Sequence, residues 1–337
     1  MTVDDAIKAL PGAFEGKNYE WCEQISTQIL GIQPHNPVAL FFLGCVSELK
    51  GDTARAATCF QSASLSFPHN VDFFERAIRT IAPESLRGFM QEYQERKERI
   101  AGFLNKPALE LVDNPAGKMF VPVYPDDDVI SKTIRSGAIF DINIIQCAME
   151  NIIPGTTVID VGANFGQMSL QFAKMVGPEG LVVSVEADNY VHHILSENVR
   201  VNGLQNVRTV NNAAHQEAGL TVYFPDQDFV RFATYGSYGI DPHAQTGRAV
   251  ETITIDSLDI QTPVSFVKVD VQGCDLFAML GAKETIRRHQ MPIIFEYEEQ
   301  FQQEFNTTFQ DYVDFVHAIG YKFVKTVDGI NYLIAPK

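Results

Sequence analysis

Four acids and one lysine are the residues of this chain best placed to do chemistry: Asp160, Glu186, Asp270 and Glu296, with Lys268. Each lies in or just after a short apolar or β-branched run of the kind that forms a buried strand, at 157–161, 181–185, 264–269 and 292–296. In a parallel α/β sheet the functional groups gather at the carboxyl ends of the strands, so these acids should share one edge. Asp270 is expected nearest a reacting atom, and Glu296 as a base or a substrate anchor. Lys268 alternates with Asp270 on one strand face, where it would pair with a carboxylate or orient a substrate. The alternative for this group is a structural ion-pair network around Lys268.

The sequence Val158-Ile-Asp-Val-Gly-Ala-Asn-Phe-Gly-Gln167 links the first of these strands to a helix. Gly162 and Gly166 bracket a tight turn, and from Gln167 onward the spacing is that of an amphipathic helix. Such a turn should present free backbone N–H groups and let a ligand approach closely. Glu186 follows Gly162 by 24 residues, about where a nucleotide site places an acid on two ribose hydroxyls. The dinucleotide fingerprint G-x-G-x-x-G is absent, because Asn164 stands where its second glycine would be. An acid inside the strand end suits a cationic amine and no pyrophosphate, which points to S-adenosylmethionine (SAM) over NAD. The alternative is a plain glycine turn with Asp160 as a helix cap.

The chain has 337 residues, enough for two domains, with 45% hydrophobic and 20% charged residues. A formal net charge of −16 argues against nucleic acid or an anionic membrane as main partner. Five cysteines without a C-x-x-C spacing read as reduced packing thiols. The acidic start, Met-Thr-Val-Asp-Asp, and the lack of any long apolar run suggest a cytoplasmic protein without a membrane segment.

Two halves are expected. Gln-Pro-His-Asn at 33–36 returns as Phe-Pro-His-Asn at 67–70, an offset of 34, and helix-turn-helix patterns precede both. That period, with small residues where helices would touch, resembles tetratricopeptide (TPR) repeats. Helical segments at 71–81 and 84–104 would complete an all-α TPR-like domain over residues 1–105. Prolines at 107, 115, 122 and 125 mark 106–125 as a linker into a second domain, 106–337. There, strands are expected near 157–161, 181–185, 207–211, 221–224, 250–255, 264–269, 292–296, 321–325 and 331–335. Helices are expected near 141–152, 166–176, 190–202, 273–288 and 308–319. Asp328-Gly329 is a hairpin signal, so a largely parallel sheet should end with an antiparallel strand. This is the α/β, class I (Rossmann-like) methyltransferase architecture. The aperiodic segment 225–248, with Tyr235, Tyr238 and His243 among glycines, reads either as disordered or, with glycine hinges around the two tyrosines, as a lid over substrate.

Over roughly 117–335 the chain resembles the FkbM family of SAM-dependent methyltransferases. The resemblance rests on 158–167, on Val267-Lys-Val-Asp-Val-Gln-Gly-Cys-Asp275 and on Ile293-Ile-Phe-Glu296. Gln272 and Asp275 stand where the family usually has Glu, and Ala187 where it usually has Pro. The resemblance implies that Gly162, Asn164, Gly166 and Gln167 underlie the methionine end of SAM, with Asp160 near its ammonium. It implies Glu186 on the ribose and Asn212-Ala213-Ala214 by the adenine, the alternative for Asn212 being a turn residue. The segment Arg135–Asp141 would close the other side of the pocket, with Arg135 on the substrate side. No metal ligand set is evident. The expected function is methyl transfer to an oxygen or nitrogen of a peptide, natural-product or carbohydrate acceptor. The repeats would bind a peptide, a partner protein or a second copy. The competing reading is a repeat-containing scaffold whose methyltransferase-like domain is inactive.

Overall fold

The computed structural model describes residues 2–67, 70–101, 108–123, 128–224, 235–236, 239–245 and 247–337. It divides into two compact units, one of residues 1–114, 118–126 and 134–137, the other of 115–117, 127–133 and 138–337.

Among the described residues, the first unit holds six whole helices: α1 (Val3–Glu15), α2 (Tyr19–Ile32), α3 (Pro37–Leu49), α4 (Thr53–Ser66), α5 (Val71–Thr80) and α6 (Pro83–Ala101). The repeated Pro-His-Asn explains two of the starts. Asn36 and Asn70 each accept the backbone N–H three residues on, capping α3 and α5. A Cβ at Gly44 would lie 2.7 Å from the Phe60 ring, so α3 and α4 touch only because that position is bare. Residues 109–122 are not the linker expected there. They form a hairpin of β1 (Leu109–Asn114) and β2 (Gly117–Pro122) that buries Leu109, Leu111, Met119, Phe120 and Val121. Pro115 lies in its turn and Pro122 at its end, where no ladder hydrogen bond is lost.

The second unit opens with α7 (Val129–Arg135), whose last turn falls in the first unit, and α8 (Ile142–Asn151). It continues through β3 (Thr157–Val161), α9 (Gln167–Val176), β4 (Leu181–Val185), α10 (Asn189–Val201) and β5 (Val207–Val210). Then come β6 (Ala213–Ala214), β7 (Thr221–Phe224), β8 (Arg248–Ile253) and β9 (Val264–Val269). The rest is α11 (Asp275–Leu280), α12 (Lys283–His289), β10 (Ile293–Glu296), α13 (Glu299–Phe305), α14 (Phe309–Ala318), β11 (Tyr321–Val327) and β12 (Asn331–Pro336).

Seven strands form one sheet in the order β11-β12-β10-β9-β3-β4-β5. β3, β4, β5, β9 and β10 pair in parallel, and β12 runs antiparallel to both neighbours. Strand alternation supplies two cores. Ile159, Val183, Val267 and Phe295 meet Met279, Tyr312 and Phe315 on one face, and Val158, Val182, Phe266 and Ile294 meet Ile145, Phe172 and Ala173 on the other. The hairpin signal holds: Asp328 and Gly329 take φ of 53° and 94° between β11 and β12.

Two further expectations fail. The strands near 221–224 and 250–255 leave the main sheet and join β6 in a separate sheet, β6-β8-β7. The helix expected over 273–288 breaks between α11 and α12 at Gly281, where a Cβ would lie 2.1 Å from the His215 carbonyl oxygen. That close backbone approach ends the helix. Helix α13 had no periodic signal of its own.

Candidate active site

The ends of β3, β4, β9 and β10 bring the predicted acids together in two connected groups. In the first, Lys268 is buried at 3% exposure, and its ammonium donates to the Gly162 carbonyl at 2.8 Å. The same ammonium stands 3.2 Å from Asp270 and 3.6 Å from Asp160. Burial works against its charge, but Asp270 and Asp160 more than offset that and hold the ammonium above its usual range. Asp160 is fully buried, accepts from the Ser169 hydroxyl at 2.5 Å and, through burial, is raised in pKa. It therefore faces Lys268 beneath the turn and not a ligand ammonium. Asp270 keeps an open edge, and its other oxygen accepts from the Gln272 amide at 3.2 Å.

That amide also donates to Glu296 at 2.8 Å. Burial, then the charges of Asp270, Asp275 and Glu298, push the Glu296 carboxyl well above the carboxylate range. Asp275, raised by burial to about 7, accepts the Glu296 backbone N–H at 3.4 Å. Asp141, raised to about 6, feels burial first and Asp270 second.

The second group surrounds Glu186. Its two oxygens accept the backbone N–H groups of Asn164 and Asp188, each at 2.9 Å. The carboxylate lies deep at the strand end with part of its surface open to solvent, and burial raises it to about 7. The Asn164 amide donates to the Tyr235 carbonyl at 2.7 Å, and the Tyr235 N–H donates to Asp128 at 2.9 Å. Asn211, which the sequence did not single out, donates to the carbonyls of Glu186 and Ala187.

The turn itself differs from expectation. Gly162 and Ala163 donate to the Val185 carbonyl, Asn164 to Glu186, Phe165 to the Asn164 side chain and Gly166 to Ala163. All five N–H groups are spent internally, so the turn offers none of them to a phosphate. Gly162 has φ of 73°, and a Cβ there would lie 1.8 Å from the Asp270 carbonyl oxygen. The glycine makes room for the neighbouring strand end, not for a ligand. Gly166, at φ of 86°, lets the helix start press on Leu195.

Several other expected site residues serve the scaffold. Both ends of the Gln167 amide are taken by the backbone of Ala138 and Phe140. Arg135 pairs with Glu110 at 3.2 Å and donates to the Pro122 carbonyl, within the first unit. Tyr235 is buried, its ring against Phe165, and is not turned out towards a substrate. Asn212 donates to the Glu251 carbonyl and ties β8 in place. Ala213 and His243 line a cavity of about 200 Å³ with His215, Cys274, Phe277 and Phe305, apart from the strand-end acids. Tyr238, and most of the segment read as a lid, lie outside the described residues. Among the described residues no group of three or more His, Cys, Asp or Glu side chains is arranged to hold a metal ion.

The sheet order, the antiparallel β12 and the strand-end acids define an α/β methyltransferase-like fold with a mixed sheet, preceded by a helical region. Residues 160–323 match the model of the methyltransferase FkbM domain. A 96-residue stretch is 27% identical to a probable cobalt-precorrin-6B C(15)-methyltransferase (decarboxylating) of Sulfolobus acidocaldarius, covering 28% of this chain and 50% of that protein. The chain thus spans about half the length of that curated relative. Among solved structures, methyltransferase FkbM from Methylobacillus flagellatus is 13% identical, with a TM-score of 0.38 over 61% of this chain and 52% of its own. A SAM-dependent methyltransferase from Aquifex aeolicus is 16% identical, with a TM-score of 0.34 over 58% and 88%.

Proposed function

We propose that the protein is a SAM-dependent methyltransferase acting on an oxygen or nitrogen nucleophile. The observation that carries this reading is Glu186, fixed at the end of β4 by two backbone N–H groups, beside the Gly162 turn and the Lys268–Asp270 pair. A carboxylate so held keeps lone pairs free for two ribose hydroxyls. A donor set with one carboxylate, no spare turn N–H groups and an acid-lined strand edge suits a cation that lacks phosphate. Bound there, SAM would supply an electrophilic methyl group on a sulfonium.

The chain's own residues then do three things. Glu186 fixes the nucleoside, and Lys268 holds the Gly162 carbonyl so that turn and acids keep one geometry. Asp270, paired with Lys268 and open on one edge, takes the proton a hydroxyl or amide nucleophile must lose. Glu296, tied to Asp270 through the Gln272 amide, anchors the acceptor.

A peptide, natural-product or carbohydrate acceptor fits this chemistry. The 34-residue period and the paired Asn36 and Asn70 caps support a TPR-like reading of the helical region, as a surface for a peptide, a partner protein or a second copy. The net charge of −16 supports an acceptor other than nucleic acid, and the reduced cysteine set a cytoplasmic setting.

Calorimetric titration with SAM tests the reading. Wild type should bind, and Glu186→Ala should bind roughly 10- to 100-fold more weakly, the loss of hydrogen bonds to an ionised group. No binding by folded wild type would end it. With methyl-labelled SAM and panels of the three acceptor classes, Asp270→Asn should cut incorporation by roughly 10²–10⁴ while leaving SAM affinity little changed.

A further inference from the structure

Gln272 is the first residue after the β9 end whose side chain turns back across that end. It adopts φ of 50°, in the left-handed region, and Gly273 follows at 92°. A side-chain amide in that region is uncommon and persists where the surroundings hold it. Two things hold it here. The backbone at Gly239 packs close, since a Cβ there would lie 3.2 Å from the Gln272 Cβ. One NH₂ group reaches both Asp270, at 3.2 Å, and Glu296, at 2.8 Å. An amide NH₂ has two N–H donors, enough to serve one oxygen of each carboxyl group. Its carbonyl oxygen is left buried without a hydrogen-bond partner among the described residues. A buried acceptor left unsatisfied is costly, and a merely space-filling residue would not need it.

The charges around the pair are unequal. Asp270 faces Lys268, with Asp160, Asp141, Asp275 and Glu296 nearby. Glu296 faces Asp270, Asp275 and Glu298, and Lys268 only as its weakest neighbour. With one lysine among so many acids, the pair cannot hold two negative charges cheaply.

We propose that Gln272 is a positioning residue for the transfer chemistry, clamping Asp270 and Glu296 through one amide so that the pair shares a single proton. A carboxylate at 272 would repel both partners. An apolar side chain there would leave them to settle their own distance. The purpose of the clamp rests on the methyltransferase reading, but its test needs neither SAM nor an acceptor.

The experiment is a pH titration of the full-length protein by infrared difference spectroscopy, following the C=O stretch of protonated carboxyl groups. Wild type should show a protonated carboxyl persisting above pH 7 that Glu296→Gln removes. Gln272→Glu should raise the midpoint of the pair by about one pH unit or more, through like charge. Gln272→Met, which keeps the bulk and removes the donors, should raise it in the same direction by less, and it carries the test if Gln272→Glu does not fold. A role in packing alone predicts that Gln272→Met titrates as wild type does. That result in a folded variant, or no protonated carboxyl above pH 7 in wild type, overturns the proposal. Failure of wild type to bind SAM would sink the function proposed above and leave this titration to judge the clamp separately.

Discussion

Glu186 shows how one residue can be tuned against its own fold. Burial lifts its carboxyl to about 7, so the folded state holds a proton that the unfolded chain releases near the ordinary glutamate value. A raised acid pKa favours folding below the unfolded value, and that advantage disappears as pH rises through about 7. The stability difference between wild type and Glu186→Ala should therefore shift against wild type by about 1–3 kcal/mol between pH 4.5 and 8. Urea unfolding at a series of pH values measures it, and a pH-independent difference would mean Glu186 is not raised. SAM affinity should move the opposite way, rising through pH 7 as the carboxylate forms. Lys268 offers a second test at this scale. Lys268→Met leaves Asp160 buried without its cation, which should cost about 3–5 kcal/mol in denaturant unfolding. Adding Asp160→Asn should recover part of that loss, and a double variant no more stable than the single would refute the coupling.

At the scale of elements, the turn after β3 is built to hold two strand ends together. Gly162→Ala places a Cβ against the Asp270 carbonyl at a positive φ, whereas Gly155, at φ of 78°, has nothing within 4 Å. Gly155→Ala should thus cost only the left-handed strain, about 1 kcal/mol. Gly162→Ala should cost several times as much and displace Asp270 as well. Thermal unfolding of both variants decides it, and equal losses would mean the Asp270 carbonyl yields freely. The elements were largely legible because each core strand carries a run of apolar residues and the long helices a clear period. What was not legible followed from contacts made elsewhere. Gly281 breaks a helix because the His215 carbonyl lies against it, and β7 and β8 leave the main sheet to pair with one another.

At the scale of the molecule, the site acids from Asp160 to Glu296 all belong to the second unit, while the β1–β2 hairpin is grouped mainly with the helices. A fragment of residues 106–337 should still be stabilised by SAM. At a hundredfold excess over Kd the gain is about 2.7 kcal/mol, or roughly 5–10 °C for a domain of this size. It should melt below the full chain, because the hairpin has lost the helices of its unit. Calorimetry with and without SAM checks both, and a fragment insensitive to SAM would mean that the helices form part of the site.

Taken alone, the sequence determined which acids stand at the strand ends, the glycine turn between β3 and α9, the absence of a dinucleotide fingerprint and the helical character of the first hundred residues. These are local properties, written in spacing and side-chain type. Tertiary structure alone decided what each acid faces. Asp160 turned inward to Lys268, Glu296 was raised well above the carboxylate range by burial beside Asp270 and Asp275, Gln167, Asn212 and Arg135 were spent on backbone partners elsewhere in the chain, and the Tyr235 N–H on the Asp128 carboxylate. The charge of a buried carboxyl depends on which neighbours the fold delivers to within a few ångströms, and sequence spacing does not carry that distance.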